Sequence, residues 1–213
     1  MIIQTISLFP DMFPAVLETS MLWKAQDKGL VKYKYINLRD FGLGSRKTVD
    51  DTPYGGGDGM LLKPEPLVAA IEVAKQNDPS ATVILMTPRG KRFKQSEARR
   101  LATSDKGLIF VCARYEGYDE RVTAYVDEQL SIGDYVLTGG ELPAMVVIDS
   151  VVRLIPGVLG GKQSAEIESF SDGVTLEFPQ YTRPEEFRDM RVPDVLLSGH
   201  HGEIAKWRRE QQG

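Results

Sequence analysis

Apolar residues fall along this chain in short runs that switch between two spacings. Ile2 to Phe9 is rich in Ile and Leu and predicts a first strand. Asp11 then stands as the N-cap of a short helix carrying Met12, Phe13, Val16 and Leu17 on one side. Val31 to Leu38 alternates, with Val31, Tyr33 and Tyr35 against Lys32 and Lys34, and predicts a second strand. From Arg39 to Met60 there is no periodicity, only polar residues and glycines. Leu67, Ala70, Ile71 and Ala74 recur at helical spacing in a helix over Glu65 to Gln76. Three apolar strand candidates follow, Thr82 to Met86, Gly107 to Cys112 and Val126 to Leu130, separated by helical segments over Lys94 to Ala102 and Asp119 to Val126. Strand and helix signals in alternation predict an α/β fold with a largely parallel sheet. Glu141 to Leu154 reads as a helix that is apolar nearly all round and therefore buried.

After Pro156 the pattern changes. Glycines lead into an acidic, Ser-rich stretch that ends near Gly173, and short helical fragments follow, the clearest over His201 to Gln211. The pattern thus predicts a main domain over 1–160, a flexible linker over 161–173 and a short helical C-terminal domain over 174–213. No internal repeat is present.

Composition narrows the chemistry. The 213 residues carry 26 Lys and Arg against 30 Asp and Glu, a net charge of −4, which excludes a globally basic nucleic-acid binder and leaves room for a local basic face. One cysteine, Cys112, and two adjacent histidines, His200 and His201, rule out a disulfide framework and a Cys/His zinc site built by one chain. Carboxylates, arginines and backbone groups are left as the reactive inventory. No apolar run reaches the roughly 18 residues of a membrane span. The N-terminal MIIQTISLFPDMF meets a proline and an acid too early for a signal peptide, and with a single Cys predicts a cytoplasmic protein.

Five segments stand out. Arg46 to Met60 contains Tyr54-Gly55-Gly56-Gly57-Asp58-Gly59, a loop that either brings backbone close to a ligand or is a flexible surface turn; it lacks the Gly-Lys-Ser/Thr of a P-loop. Val111 to Arg121 follows a strand, where ligand sites of parallel sheets lie, yet Glu116, Asp119 and Glu120 also suit the start of a helix. Ser131 to Pro143 follows the next strand and opens the apolar helix with Gly133, Gly139 and Gly140; its backbone groups suit a polar cofactor, although the G-x-G-x-x-G of a dinucleotide fold is absent after the first strand. Arg153 lies four residues after Asp149, an ordinary helical ion pair, and is followed by the acids Glu166, Glu168 and Asp172. Arg89 to Arg100 has six basic residues against one acid, either a face for a phosphate backbone or a solvated helix surface.

ISLFPDMF, PYGGGDGM, CARYEGYDER, SIGDYVLTGGELPAM, the helix through Arg153 to IPGVLG, FPQYTRP and SGHH together resemble the bacterial tRNA (guanine-N1)-methyltransferases of the SPOUT class, over about Ile2 to Trp207. The resemblance implies an α/β domain whose cofactor-binding part is tied in a deep trefoil knot, with a helical C-terminal domain that is shortened here. It also implies a homodimer with shared active sites, and methyl transfer from S-adenosylmethionine to guanine N1 at tRNA position 37, dependent on Mg²⁺. It places the donor at Leu85, Met86, Thr87 and Pro88; at Ala113, Tyr115, Glu116 and Gly117; and at Ile132, Gly133, Asp134, Tyr135, Val136, Leu137, Gly139, Gly140 and Pro143. The loop with Tyr54, Gly55, Gly57 and Gly59 closes on the same region in the family, and Arg46 and Asp50 fall to the substrate side.

Guanine N1 carries a proton that must leave as the C–N bond forms. A carboxylate can take it, and an arginine can stabilise charge on O6. Alignment implies Glu168 as base and Arg153 as the arginine, with Asp172 and Glu166 as alternative bases. Three positions depart from the family pattern: Glu168 stands where Asp is more usual, Ala113 where Gly is usual, and Leu85 where an aromatic residue occurs. A knotted methyltransferase for another RNA base and a non-catalytic RNA-binding relative are the competing readings.

Overall fold

The computed structural model describes residues 1–160 and 168–213. The chain divides into two compact units, Met1–Gly160 and Gly161–Gly213. Part of the expected linker, and Glu166 with it, lies outside the described residues.

In the first unit, β1 (Ile2–Ser7) is buried on both faces. A tight 3₁₀ turn over Pro10–Met12 and the single-turn α1 (Pro14–Leu17) follow. Asp11 does not cap this helix as its position suggested. A proline opens each of the two turns with no side-chain cap bond, because its fixed φ already suits a helix start. Next come α2 (Ser20–Asp27) and β2 (Lys32–Asn37). The stretch without periodicity holds β3 (Asp50–Asp51) and ends just before β4 (Leu61–Leu62), and this antiparallel pair brackets the Gly-rich loop.

Beyond it, α3 (Pro64–Asn77) buries Leu67, Ala70, Ile71 and Ala74, the stripe its spacing predicts. Strand β5 runs over Thr82–Arg92, six residues longer than its apolar run, before α4 (Gln95–Ala102) and β6 (Leu108–Cys112). The segment expected as a helix over 119–126 is instead a 3₁₀ turn, Glu120–Tyr125, opened by Asp119, whose side chain accepts from the Arg121 amide. Val122 and Thr123 are β-branched and fit a short turn better than a helix interior. Strand β7 (Glu128–Ser131) and α5 (Glu141–Val152) complete the unit.

The five long strands form one sheet in the order β2-β1-β6-β5-β7, every pair parallel. Alternate residues supply two cores. Ile3, Ile84, Met86, Leu108, Phe110 and Cys112 pack with α2, α4 and α5 on one face. Ile6, Val83, Leu85, Ile109 and Val111 pack with α3 on the other. Coverage of both faces is why these strands read as continuous apolar runs. Each such buried side chain contributes about 1.5–3 kcal/mol.

Helix α5 is less enclosed than its composition suggests: Leu142 is 52% and Val146 47% exposed, one turn apart on the same side. Strand β5 is irregular. Leu130 of β7 is opposite both Met86 and Lys91, so residues 87–90 bulge out of the ladder.

The second unit contains the hairpin β8 (Glu186–Phe187) and β9 (Met190–Arg191), then α6 (Asp194–Leu197) and α7 (His201–Glu210). Tyr181 lies 6.3 Å from the Trp207 ring, and the Arg208 guanidinium sits 4.8 Å from the centre of Phe178. None of its described residues is buried. Among the described residues, no helix is long and apolar enough to cross a membrane.

Candidate functional site

The carboxyl ends of β5, β6 and β7 enclose a cavity of about 340 Å³. Ligand sites of open parallel sheets lie at this edge because the strand-to-helix connections gather there. The β5 bulge supplies Met86, Thr87, Pro88 and Arg89; the turn after β6 supplies Ala113 through Tyr118; the segment from Leu130 to Gly140, with Pro143 of α5, closes the far side. The turn after β6 is tight, with Tyr115 at φ +61° and the Gly117 amide donating to the Arg114 carbonyl at 3.1 Å. Ser131 Oγ folds the start of the last segment by donating to the Gly133 carbonyl and accepting from its amide.

Beneath the cavity lies a buried charge pair. Arg114 Nε is 2.8 Å from Glu141 Oε2, with the two side chains 18% and 1% exposed. Ser7 Oγ donates to the other carboxylate oxygen at 2.5 Å, and Glu141 sits in the first turn of α5, where the helix dipole favours an anion. Burial pushes the Cys112 thiol well above its ordinary value, with Glu141 adding to the rise and Arg114 opposing it. That cysteine is a core residue, not a nucleophile.

Of the residues that the resemblance implies for the donor, this cavity gathers Met86, Thr87, Pro88, Ala113, Tyr115, Glu116, Gly117, Ile132, Gly133, Tyr135, Val136, Leu137, Gly139, Gly140 and Pro143. Leu85 is not among them; it is fully buried in the core on the opposite face, since successive strand residues point to opposite sides. Asp134 also stays outside the lining and pairs with Arg92. Arg89, Arg114, Tyr118, Glu120, Leu130, Ser131 and Thr138 line the cavity without having been singled out in the sequence. Arg114, Tyr118, Glu120, Ser131 and Thr138 lie inside the segments after β6 and β7 that the sequence marked, while Arg89 and Leu130 only lie close in sequence to the residues implied for the donor.

The Gly-rich loop does not line the cavity, but its base is stitched to the turn that does. The Glu116 amide donates to the Met60 carbonyl at 3.0 Å, and the Leu62 amide to the Gly117 carbonyl at 2.9 Å. Gly59 has φ +81°, and a Cβ there would lie 2.5 Å from Glu116 Cγ, so this position needs glycine twice over. Tyr54 is fully exposed at the tip beside Gly55 and Gly57, Asp50 is half-buried in β3, and Arg46 is exposed in the turn closed by Leu43 and Thr48.

The basic segment offers less free charge than its composition suggests. Arg89 pairs with Glu120 at 2.7 Å, Lys91 with Glu97 at 2.5 Å, Arg92 with Asp134, and Arg100 with Glu97 at 3.0 Å and Glu128 at 2.6 Å. Glu97 inside the segment and Glu120, Glu128 and Asp134 from elsewhere in the chain offset part of its charge.

Arg153 follows the last turn of α5, its amide donating to the Asp149 carbonyl at 3.3 Å, and is half-buried. Glu168 belongs to the second unit and lines a hollow of about 250 Å³ with Ser171, Asp172, Thr175, Leu176, Glu177 and Gln212. Asp172 accepts from the Val174 and Thr175 amides and the Thr175 hydroxyl. These bonds, the hydroxyl's first, hold its carboxyl down at about 2.

The large cavity suits an organic cofactor with flat apolar and polar parts: Met86, Ile132, Leu137 and Pro143 give apolar walls, Glu116 adds a carboxylate, and Glu120 is paired with Arg89 in the same lining. For Mg²⁺, the described residues hold no group of three or more His, Cys, Asp or Glu that could form a cage.

The model of the family described as tRNA (Guanine-1)-methyltransferase TrmD matches residues 1–213, the whole chain. Curated relatives agree. The chain is 53% identical to the tRNA (guanine-N(1)-)-methyltransferase of Syntrophotalea carbinolica, covering 100% of this chain and 85% of that protein. It is 56% identical to the protein of the same name from Geobacter sulfurreducens, over 97% of this chain and 84% of that one. It is 53% identical to that of Geobacillus kaustophilus, over 98% and 85%. With a family match from end to end and a parallel α/β sheet that gathers the shared segments around one cavity, the chain belongs to the tRNA (Guanine-1)-methyltransferase TrmD family.

Proposed function

We propose that the protein methylates N1 of guanine 37 in tRNA, just 3′ of the anticodon, with S-adenosylmethionine as donor. The observation that carries this reading is the whole-chain match to a family whose curated members are named for guanine-N1 methylation of tRNA. The cavity adds chemical support, because its apolar walls suit the flat part of such a donor and the Glu116 carboxylate in its lining suits a cationic sulfonium.

Bound S-adenosylmethionine supplies a methyl that is already electrophilic. What remains for the protein is to hold the donor and manage the acceptor. The apolar walls and the backbone of residues 132–140 hold the donor; the loop with Tyr54, Arg46 and Asp50 faces the nucleic acid. Glu168 takes the N1 proton as the new C–N bond forms and the methyl–sulfur bond breaks. Arg153 stabilises the negative charge that grows on O6. Asp172 is a poorer base, because a carboxyl held at about 2 has little tendency to take a proton at neutral pH.

The same reading takes the cofactor-binding part as knotted and the working enzyme as a cytoplasmic homodimer with shared active sites. The exposed Leu142 and Val146 on α5 suit contact with a second copy.

The test is incubation with labelled donor and unmodified tRNA carrying guanosine at position 37. Label on N1 of that base is the expected result. Label on another base would favour a different knotted methyltransferase, and donor binding without transfer a non-catalytic relative; either would overturn the proposal.

A further inference from the structure

The buried pair Arg114–Glu141 joins three segments that are far apart in sequence. From one guanidinium, Nε approaches Glu141 at 2.8 Å, one terminal nitrogen donates to the Thr138 carbonyl at 3.3 Å, and the other faces Met12 Sδ at 3.5 Å. Its plane lies 4.6 Å from the centre of the Phe9 ring. Although Arg114 lines the cavity, its nitrogens are engaged by the protein itself. The contact with Glu141 is close in distance but not aligned as a hydrogen bond, so charge, and not directionality, holds it.

Ser7 Oγ completes the arrangement from the first strand, donating to Glu141 while accepting from the Phe9 amide at 2.8 Å. The loop has been shaped around the pair. A Cβ on Gly139 would collide with Arg114 Nε and Glu141 Oε2, and the Gly140 amide donates to the Ala113 carbonyl at 2.9 Å.

We infer that Arg114 and Glu141, with Ser7 behind them, are positioning residues for the donor: they fix the backbone of residues 138–140 against the turn after β6, and so set the width and hydrogen-bonding edge of the cavity. The inference rests on the proposed function in taking that cavity as the donor site. Arg114 works through the Thr138 carbonyl. Glu141 works by anchoring Arg114 and the first turn of α5 to one point. Because the Arg114 nitrogens are directed at Glu141, Thr138 and Met12, loss of the pair weakens donor binding through the cavity wall and leaves turnover at saturating donor nearly unchanged.

The experiment is calorimetric titration of the full chain with S-adenosylhomocysteine, run on wild type, Arg114→Lys and Ser7→Ala, alongside kcat and the donor KM. Lysine keeps the charge toward Glu141 but cannot also fork to Thr138. Its expected effect is a Kd raised on the order of tenfold to a hundredfold, as for a small misplacement of binding groups, with unchanged stoichiometry and kcat within about threefold. Ser7→Ala, outside the cavity lining, raises Kd by about threefold in the same direction. Unchanged stoichiometry distinguishes positioning from partial unfolding, which would lower the binding fraction and leave Kd alone. Wild-type affinity in both folded variants, or lost kcat with unchanged Kd, overturns the inference while wild-type binding upholds the donor site. Absence of wild-type binding overturns both. If Arg114→Lys does not fold, Ser7→Ala decides.

Discussion

Residues 1–160 bury apolar clusters on both faces of one parallel sheet, whereas no described residue of 168–213 is buried, although Phe170, Val174, Leu176, Phe187 and Met190 are all exposed there. The first unit can hold a cavity in fixed shape because its walls are the ends of strands locked by close packing. The second is held by local devices instead: the Asp172 turn, the Tyr181–Trp207 contact and the stacking of Arg208 on Phe178. The proposed donor cavity lies in the well-packed unit, and Glu168, the proposed base, in the unit none of whose described residues is buried. Preorganised binding and a base that depends on substrate for its final position are the division this suggests.

The sharpest way to break that comparison is to remove one proposed catalytic group from each side. Arg153→Ala and Glu168→Ala should each lower methyl transfer by about 10²–10⁴-fold while donor affinity, measured by calorimetry, stays within about twofold. Normal turnover by Glu168→Ala would overturn the assignment of Glu168 as the base.

Stability should divide the same way. Glu141→Ala leaves Arg114 without its buried partner and should cost about 3–5 kcal/mol in denaturant unfolding. Trp207→Ala, in the second unit, should leave that main transition within about 1 kcal/mol. Equal losses would mean that the two units unfold as one.

Smaller still is Gly59→Ala. Its cost, of order 1–2 kcal/mol, combines a left-handed backbone with the clash against Glu116. The informative readout is donor KM, because Glu116 lines the cavity.

The smallest effect concerns the local turn at Asp172. Its pKa falls from the ordinary 3.8 to about 2 in the folded chain, so its stabilising contribution is complete above about pH 4 and disappears as the pH drops through about 2. Amide exchange at Thr175 should accelerate over that interval while amides of β6 stay protected. Asp172→Asn should remove the pH dependence.

Much of the fold was legible because its signals are local. The stripe of Leu67, Ala70, Ile71 and Ala74 reads as a helix, and the runs ending at Met86 and Cys112 read as strand candidates that the fold covers on both faces. The misreadings came from competition that composition does not display. Prolines replaced Asp11 as the helix-starting device, and β-branched residues tightened 120–125 into a 3₁₀ turn. The extension of β5 through Arg92 depends on its pairing with β7.

Sequence by itself determined the order of the five sheet strands, the alternation that makes a parallel sheet, the shortage of Cys and His that leaves carboxylates and arginines as the chemistry, and the motifs that resemble one family. Only the tertiary structure decided that Leu85 turns away from the cavity while Met86 faces it, because strand parity assigns neighbours to opposite faces. It also decided that Arg89, Arg92 and Arg100 of the basic run are paired with Glu120, Asp134 and Glu128, acids that folding brings alongside. Above all it joined Ser7, Arg114 and Glu141. Nothing local pairs residues more than a hundred positions apart; they meet because β1 and β6 are sheet neighbours and α5 begins over their ends.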